Sequence, residues 1–103
     1  MRVEQALSFL NSLRQIDDTM SVSTATVLLM VARADPEGIT PGEIHESLEI
    51  TLSGPRRHAD LLGSRGRGNK EGLGLIDEKY DESDRRTKFL FLTKKGRAFI
   101  SSL

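Results

Sequence analysis

The sequence contains no cysteine. That excludes a disulfide framework, a thiolate metal site and thiol-based redox sensing, and it is what a reducing cytoplasm permits. A long apolar run is missing too: the longest, Val27 to Ala32, is far short of a membrane span or a signal-peptide core. These two absences lead one to expect a soluble cytoplasmic chain with no membrane partner. No phosphate-cradling loop is present, because Lys70 is followed by Glu71 rather than Ser or Thr, and Gly66 and Gly68 lack a third glycine at the dinucleotide spacing. His45 and His58 have no carboxylates spaced to share a metal, so each reads as a solvated histidine. With no paired acid and base either, the chain is expected to hold no cofactor and not to be an enzyme.

Net charge is also absent, 15 Lys and Arg being matched by 15 Asp and Glu. The zero conceals a division. Residues 1–50 carry three basic and eight acidic side chains, a balance of −5, and residues 51–103 carry twelve and seven, a balance of +5. One face is thereby suited to polyanions and another faces elsewhere. At 103 residues the chain is one domain able to bury its own core.

Apolar residues at Val3, Ala6, Leu7, Leu10, Leu13 and Ile16, with Phe9 alongside, make residues 1–17 an amphipathic helix. Its stripe is either internal or in part a dimer contact. A second helix runs from a cap at Ser21 or Ser23 to about Ala34, with Val22, Ala25, Leu28, Leu29 and Ala32 expected inward. Asp35 to Gly38 break it. Thr40-Pro41-Gly42-Glu43 is a capping box opening a short third helix, with Ile44 and Leu48 inward and Glu43, His45 and Glu46 outward. Ile50 is expected to pack into the turn. A fourth helix, capped by Thr51 or Ser53 with Pro55 in its first turn, reaches about Leu62. Its inner arc holds Pro55, Ala59 and Leu62 with His58 and Leu61 at the margin, and its outer arc Ser53, Arg56, Arg57 and Asp60. Two arginines at the start of an exposed helix face can donate paired hydrogen bonds to guanine in a major groove.

Gly63 to Gly72, GSRGRGNKEG, combines four glycines with Arg65, Arg67 and Lys70, and reads as a mobile basic loop with nothing to offer a core. It serves either as a groove or phosphate contact or as a plain linker. Its Arg65-Gly66-Arg67 resembles the centre of an AT-hook without the flanking prolines. Residues 73–93 form a hairpin: strands at Leu75 to Tyr80 and Thr87 to Leu92 flank the polar tip Asp81 to Arg86. Phe89 and Phe91 point one way, and Lys88, Leu90 and Leu92 the other, so the ribbon needs helices for cover. Arg85 and Arg86 on such a projection suit a minor groove. Thr93 caps a last helix within 94–103, its inner positions Ala98, Phe99 and Leu103 with Ile100 beside them. Lys94 and Lys95 in its first turn oppose the helix dipole unless phosphate lies nearby.

The order of these elements, with Gly74-Leu75-Ile76, Asp84-Arg85-Arg86 and Leu92-Thr93-Lys94-Lys95-Gly96, resembles MarR-type winged-helix transcriptional regulators from Val22 to Ile100. The glycine-rich insertion before Gly74 is similar to that of small phage-encoded members. The resemblance implies an α+β, mainly helical, winged helix-turn-helix fold whose fourth helix enters the major groove and whose wing enters the minor groove. Arg86 then matches the minor-groove arginine and Asp84 the acid that braces the wing. Together with the helix arcs and the basic half, this leads one to expect a double-stranded DNA-binding transcriptional repressor, paired as a homodimer through its first and last helices, with Ser53, Arg56 and Arg57 at bases, Arg85 at the wing, and Arg65, Arg67, Lys70, Lys94 and Lys95 at phosphates. The chain ends one short helix after the wing, where MarR-type regulators carry long dimer-forming helices. The alternative is a winged-helix interaction module whose acidic first half contacts RNA polymerase or a replication factor.

Overall fold

The computed structural model describes residues 2–47, 55–64 and 71–103, with the backbone alone at 55 and 56. In order the elements are α1 (Val3–Ile16), α2 (Val22–Ala34), α3 (Pro41–Ser47), α4 (Pro55–Leu62), β1 (Ile76–Tyr80), β2 (Lys88–Leu92) and α5 (Lys94–Ser101). The expectations for Leu48, Ile50, Thr51 and Ser53 lie outside the described residues.

Side-chain caps set three helix starts. Ser21 accepts from Thr24 N at 3.0 Å at the head of α2. The capping box before α3 is reciprocal: Glu43 N donates to Thr40 Oγ1 at 3.1 Å, and Thr40 N donates to Glu43 Oε1 at 3.2 Å. Thr93 Oγ1 accepts from Gly96 N at 3.0 Å and donates to Gly74 O at 2.7 Å, so the cap of α5 also ties down the chain entering the hairpin. Each such cap stabilises by about 1 kcal/mol.

The core lies between α2 and the hairpin. Val27, Leu28, Val31, Ile44, Leu62, Leu75 and Leu90 are its largest fully buried members, each contributing about 1.5–3 kcal/mol. The expected inner stripe of α2 is only partly right. Thr24, Ala25, Val27, Leu28, Met30 and Val31 are buried, whereas Val22 is 81% and Leu29 42% exposed. The helix is apolar on nearly all sides, so periodicity alone could not choose its core face; Val22 and Leu29 instead line a cleft against α1. On α1 itself Leu13 is buried, while Val3, Leu7 and Leu10 are 70%, 54% and 49% exposed. The cleft between the two helices, about 700 Å³, is therefore apolar and open.

β1 and β2 pair antiparallel, Ile76 opposite Leu92 through Tyr80 opposite Lys88, each strand one residue shorter than expected. Alternation is as read: Leu90 and Leu92 are buried, and Phe89 and Phe91 are half-buried. An unexpected third rung joins the sheet, since Ile39 and Leu90 exchange hydrogen bonds of 2.9 and 2.8 Å. Gly38, at φ 85°, supplies the left-handed bend that brings Ile39 there.

Two further expectations change. Gly63, placed at the start of the basic loop, is buried: its N–H donates to Ala59 O at 2.8 Å and its carbonyl accepts from Gly74 N at 2.9 Å. Ala98 in α5 and Leu103 beyond its end are exposed, and the buried residue of the helix is Gly96, because the helix backbone itself presses on Leu75 and leaves no room for a Cβ.

Candidate nucleic-acid interface

α4 is held from behind. Leu62 is fully buried, Ala59 half-buried, and His58 is 7% exposed with its Nδ1 2.8 Å from Thr24 Oγ1 on α2. The expectation of a solvated His58 is thus wrong. His58 stands one helical turn before Leu62 and shares its inward face. Burial, and then the neighbouring Arg57 charge, hold the imidazole pKa below its ordinary value. The legible signal was Thr24, a hydroxyl on the inner face of an apolar helix that needs a polar partner.

On the other side of α4, Arg57 is exposed and forms no hydrogen bond or ion pair among the described residues, and Asp60 is half-buried. The side chain of Arg56 lies outside the described residues, as do Ser53, Arg65, Arg67 and Lys70. His45, by contrast, is exposed as expected.

The hairpin tip is shaped by acids. Asp81 Oδ1 accepts from Ser83 N at 2.9 Å and Ser83 Oγ at 2.8 Å, and these bonds hold its carboxyl below the usual carboxylate range. Asp84 Oδ1 accepts from Arg86 N at 3.0 Å and Nε at 3.3 Å, while its Oδ2 accepts from Thr87 Oγ1 at 3.3 Å. Asp81 N to Thr87 O and Thr87 N to Asp84 O, both 2.9 Å, close the turn. The structure therefore brings Asp84 and Arg86 together, with the Arg86 side chain 94% exposed. Arg85 is exposed beside it.

At the start of α5, Lys94 is exposed, whereas Lys95 Nζ donates to Leu73 O at 2.9 Å. That ammonium serves the fold with one of its three donors and keeps the others. Sequence reasoning did not single out Arg97, whose guanidinium grips Asp35 through Nη2 at 3.0 Å and Nε at 3.1 Å, joining α5 to the end of α2. The pair raises the Arg97 pKa, chiefly through the hydrogen bonds. Among the described residues no group of three or more His, Asp or Glu could hold a metal, and no helix is long and apolar enough to cross a membrane.

No family model matches the chain, and no curated protein does. A crystal structure of MarR matches it with a TM-score of 0.62 at 20% identity, over 99% of this chain and 72% of that one. The chain has the winged helix-turn-helix fold of that protein, as the hairpin motif and element order implied.

Proposed function

We propose that this MarR-like fold serves a sequence-reading, double-stranded DNA-binding transcriptional regulator that acts as a homodimeric repressor. The observation that carries the reading is a pairing of two elements. One is a helix anchored from behind by His58 and Leu62 with Arg57 on its open side, and the other is a braced hairpin whose tip presents Arg85 and Arg86. Arg57, with Arg56 and Ser53, reads base edges in the major groove, where guanidinium pairs with guanine N7 and O6. Arg85 and Arg86 take the adjacent minor groove, with Asp84 keeping Arg86 in register. Lys94 and Lys95, with Arg65, Arg67 and Lys70, neutralise phosphate.

Support for a second copy comes from α1. A helix of 14 residues is marginal alone in water, and Val3, Leu7 and Leu10 remain largely uncovered within the chain. Packing them against the same stripe of a partner completes the helix. Two copies then span half-sites about 10 base pairs apart, and occupying a duplex in this way excludes other proteins from it, hence repression.

Selection from a pool of random duplexes tests the reading. The expected outcome is a palindromic site whose affinity falls steeply with salt. No retention of any duplex at low salt would sink it and leave the fold to a protein partner.

A further inference from the structure

Three of the five aromatic residues of the chain, Tyr80, Phe89 and Phe91, line one groove of about 560 Å³ along the hairpin. Leu90 and Leu92 face the core, so the alternation of β2 leaves Phe89 and Phe91 on the face that packing does not cover, and both stay half-buried. Tyr80, opposite Lys88 and so on the other face of the ribbon, borders the groove at its end and is 55% exposed. Pro36 adds to the apolar wall, and Glu37, Asp81 and Glu82 stand around it with Lys79 as the one cation in the lining.

Two features of this groove select its occupant. Aromatic faces carry a negative quadrupole, which attracts cations and above all guanidinium. The surrounding charge has the same preference: three carboxylates oppose one ammonium, and neither Glu37 nor Glu82 forms an ion pair among the described residues. The bonds from Ser83 keep Asp81 ionised as well. A phosphate strand is repelled by such a rim. A small organic cation would want enclosure on most sides, whereas this groove is open along the ribbon.

The geometry points to this groove as the docking site for a basic segment of a partner protein. An Arg or Lys side chain lies over Phe89 and Phe91, past Tyr80 at the end of the groove, with its charge toward Glu37, Asp81 and Glu82. The site runs along the flank of the hairpin beside the tip that carries Arg85 and Arg86, and it lets the protein hold a partner on the wing.

Amide chemical shifts of the full chain, followed during titration with the peptide acetyl-Gly-Leu-Arg-Leu-Arg-Gly-amide and its Glu-for-Arg counterpart, test the assignment. Saturable shifts at Tyr80, Phe89 and Phe91 are expected with the Arg peptide alone. Affinity should fall about fivefold in the Glu37→Lys, Glu82→Lys double variant, both side chains being exposed. The assignment is overturned by the absence of saturable shifts up to about 5 mM peptide. Equal shifts with the Glu peptide overturn it too, and so do shifts of Phe89 and Phe91 on adding duplex DNA that are as large as those of Arg85 and Arg86, which would give the face to nucleic acid.

Discussion

Thr24 Oγ1 and His58 Nδ1 meet 2.8 Å apart in the interior and fasten α4 to α2. Burial, with Arg57 beside it, lowers the His58 pKa from 6.5. The unfolded chain therefore takes up a proton at a pH where the folded chain still resists it. His58 stabilises the fold in full above about pH 6.5, and that contribution is lost as the pH falls toward the lower, folded value. Thermal melts should show Tm dropping more steeply from about pH 7 to pH 5 in the natural chain than in His58→Gln, which has no proton to gain. Equal slopes would contradict this.

Gly96 admits no side chain. A Cβ there overlaps the Leu75 carbonyl oxygen and approaches Leu92 Cδ2 at 3.2 Å. Gly96→Ala is expected to destabilise by about 2–4 kcal/mol in denaturant titrations, despite the better helix propensity of alanine.

Thr93→Val keeps the shape but removes both the bond from Gly96 N and the bond to Gly74 O. The combined loss should be about 1–3 kcal/mol, read as a lower denaturation midpoint at unchanged slope.

On duplex DNA, Arg57→Ala should cost about 1–3 kcal/mol on the preferred site and relax preference at one base pair. Lys94→Ala should weaken all sequences alike and flatten the salt slope by about one unit. Binding isotherms across a salt series distinguish the two, and identical, sequence-blind losses would refute the division of roles.

Asp84→Ala offers a test by sign. If the tip meets DNA as proposed, removing an acid from it should tighten binding were charge alone to matter. Because Asp84 holds Arg86 N, Arg86 Nε and Thr87 Oγ1, its loss frees the tip, and the expected result is weaker binding with little change in Tm.

Much of this fold was legible in the sequence because its boundaries rest on local chemistry. Ser21, Thr40 and Thr93 each bond a backbone N–H three residues on, and such caps act within one turn of chain. The alternation in KFLFL likewise set Leu90 and Leu92 apart from Phe89 and Phe91, although which pair is buried was decided by packing. What escaped depends on distant partners. The core face of α2 could not be chosen from a helix apolar all round, and His58 could not be placed without Thr24, 34 residues earlier. Ile39 had no strand pattern of its own, only a bend at Gly38 that delivers it to Leu90. Of the site, the exposure of Arg57, Arg85 and Arg86 followed from helix arcs and turn position, whereas the Lys95 bond to Leu73 spans 22 residues and left no local trace.

Leu90 stands opposite Glu78 within the ribbon and turns both its N–H and its carbonyl to Ile39 on the outer edge. A hairpin clasped in this way at mid-length is a fixed prong and not a swinging arm. Its orientation is inherited from the body of the molecule, so the entropy of ordering it is surrendered when the chain folds and not again when the prong meets its target.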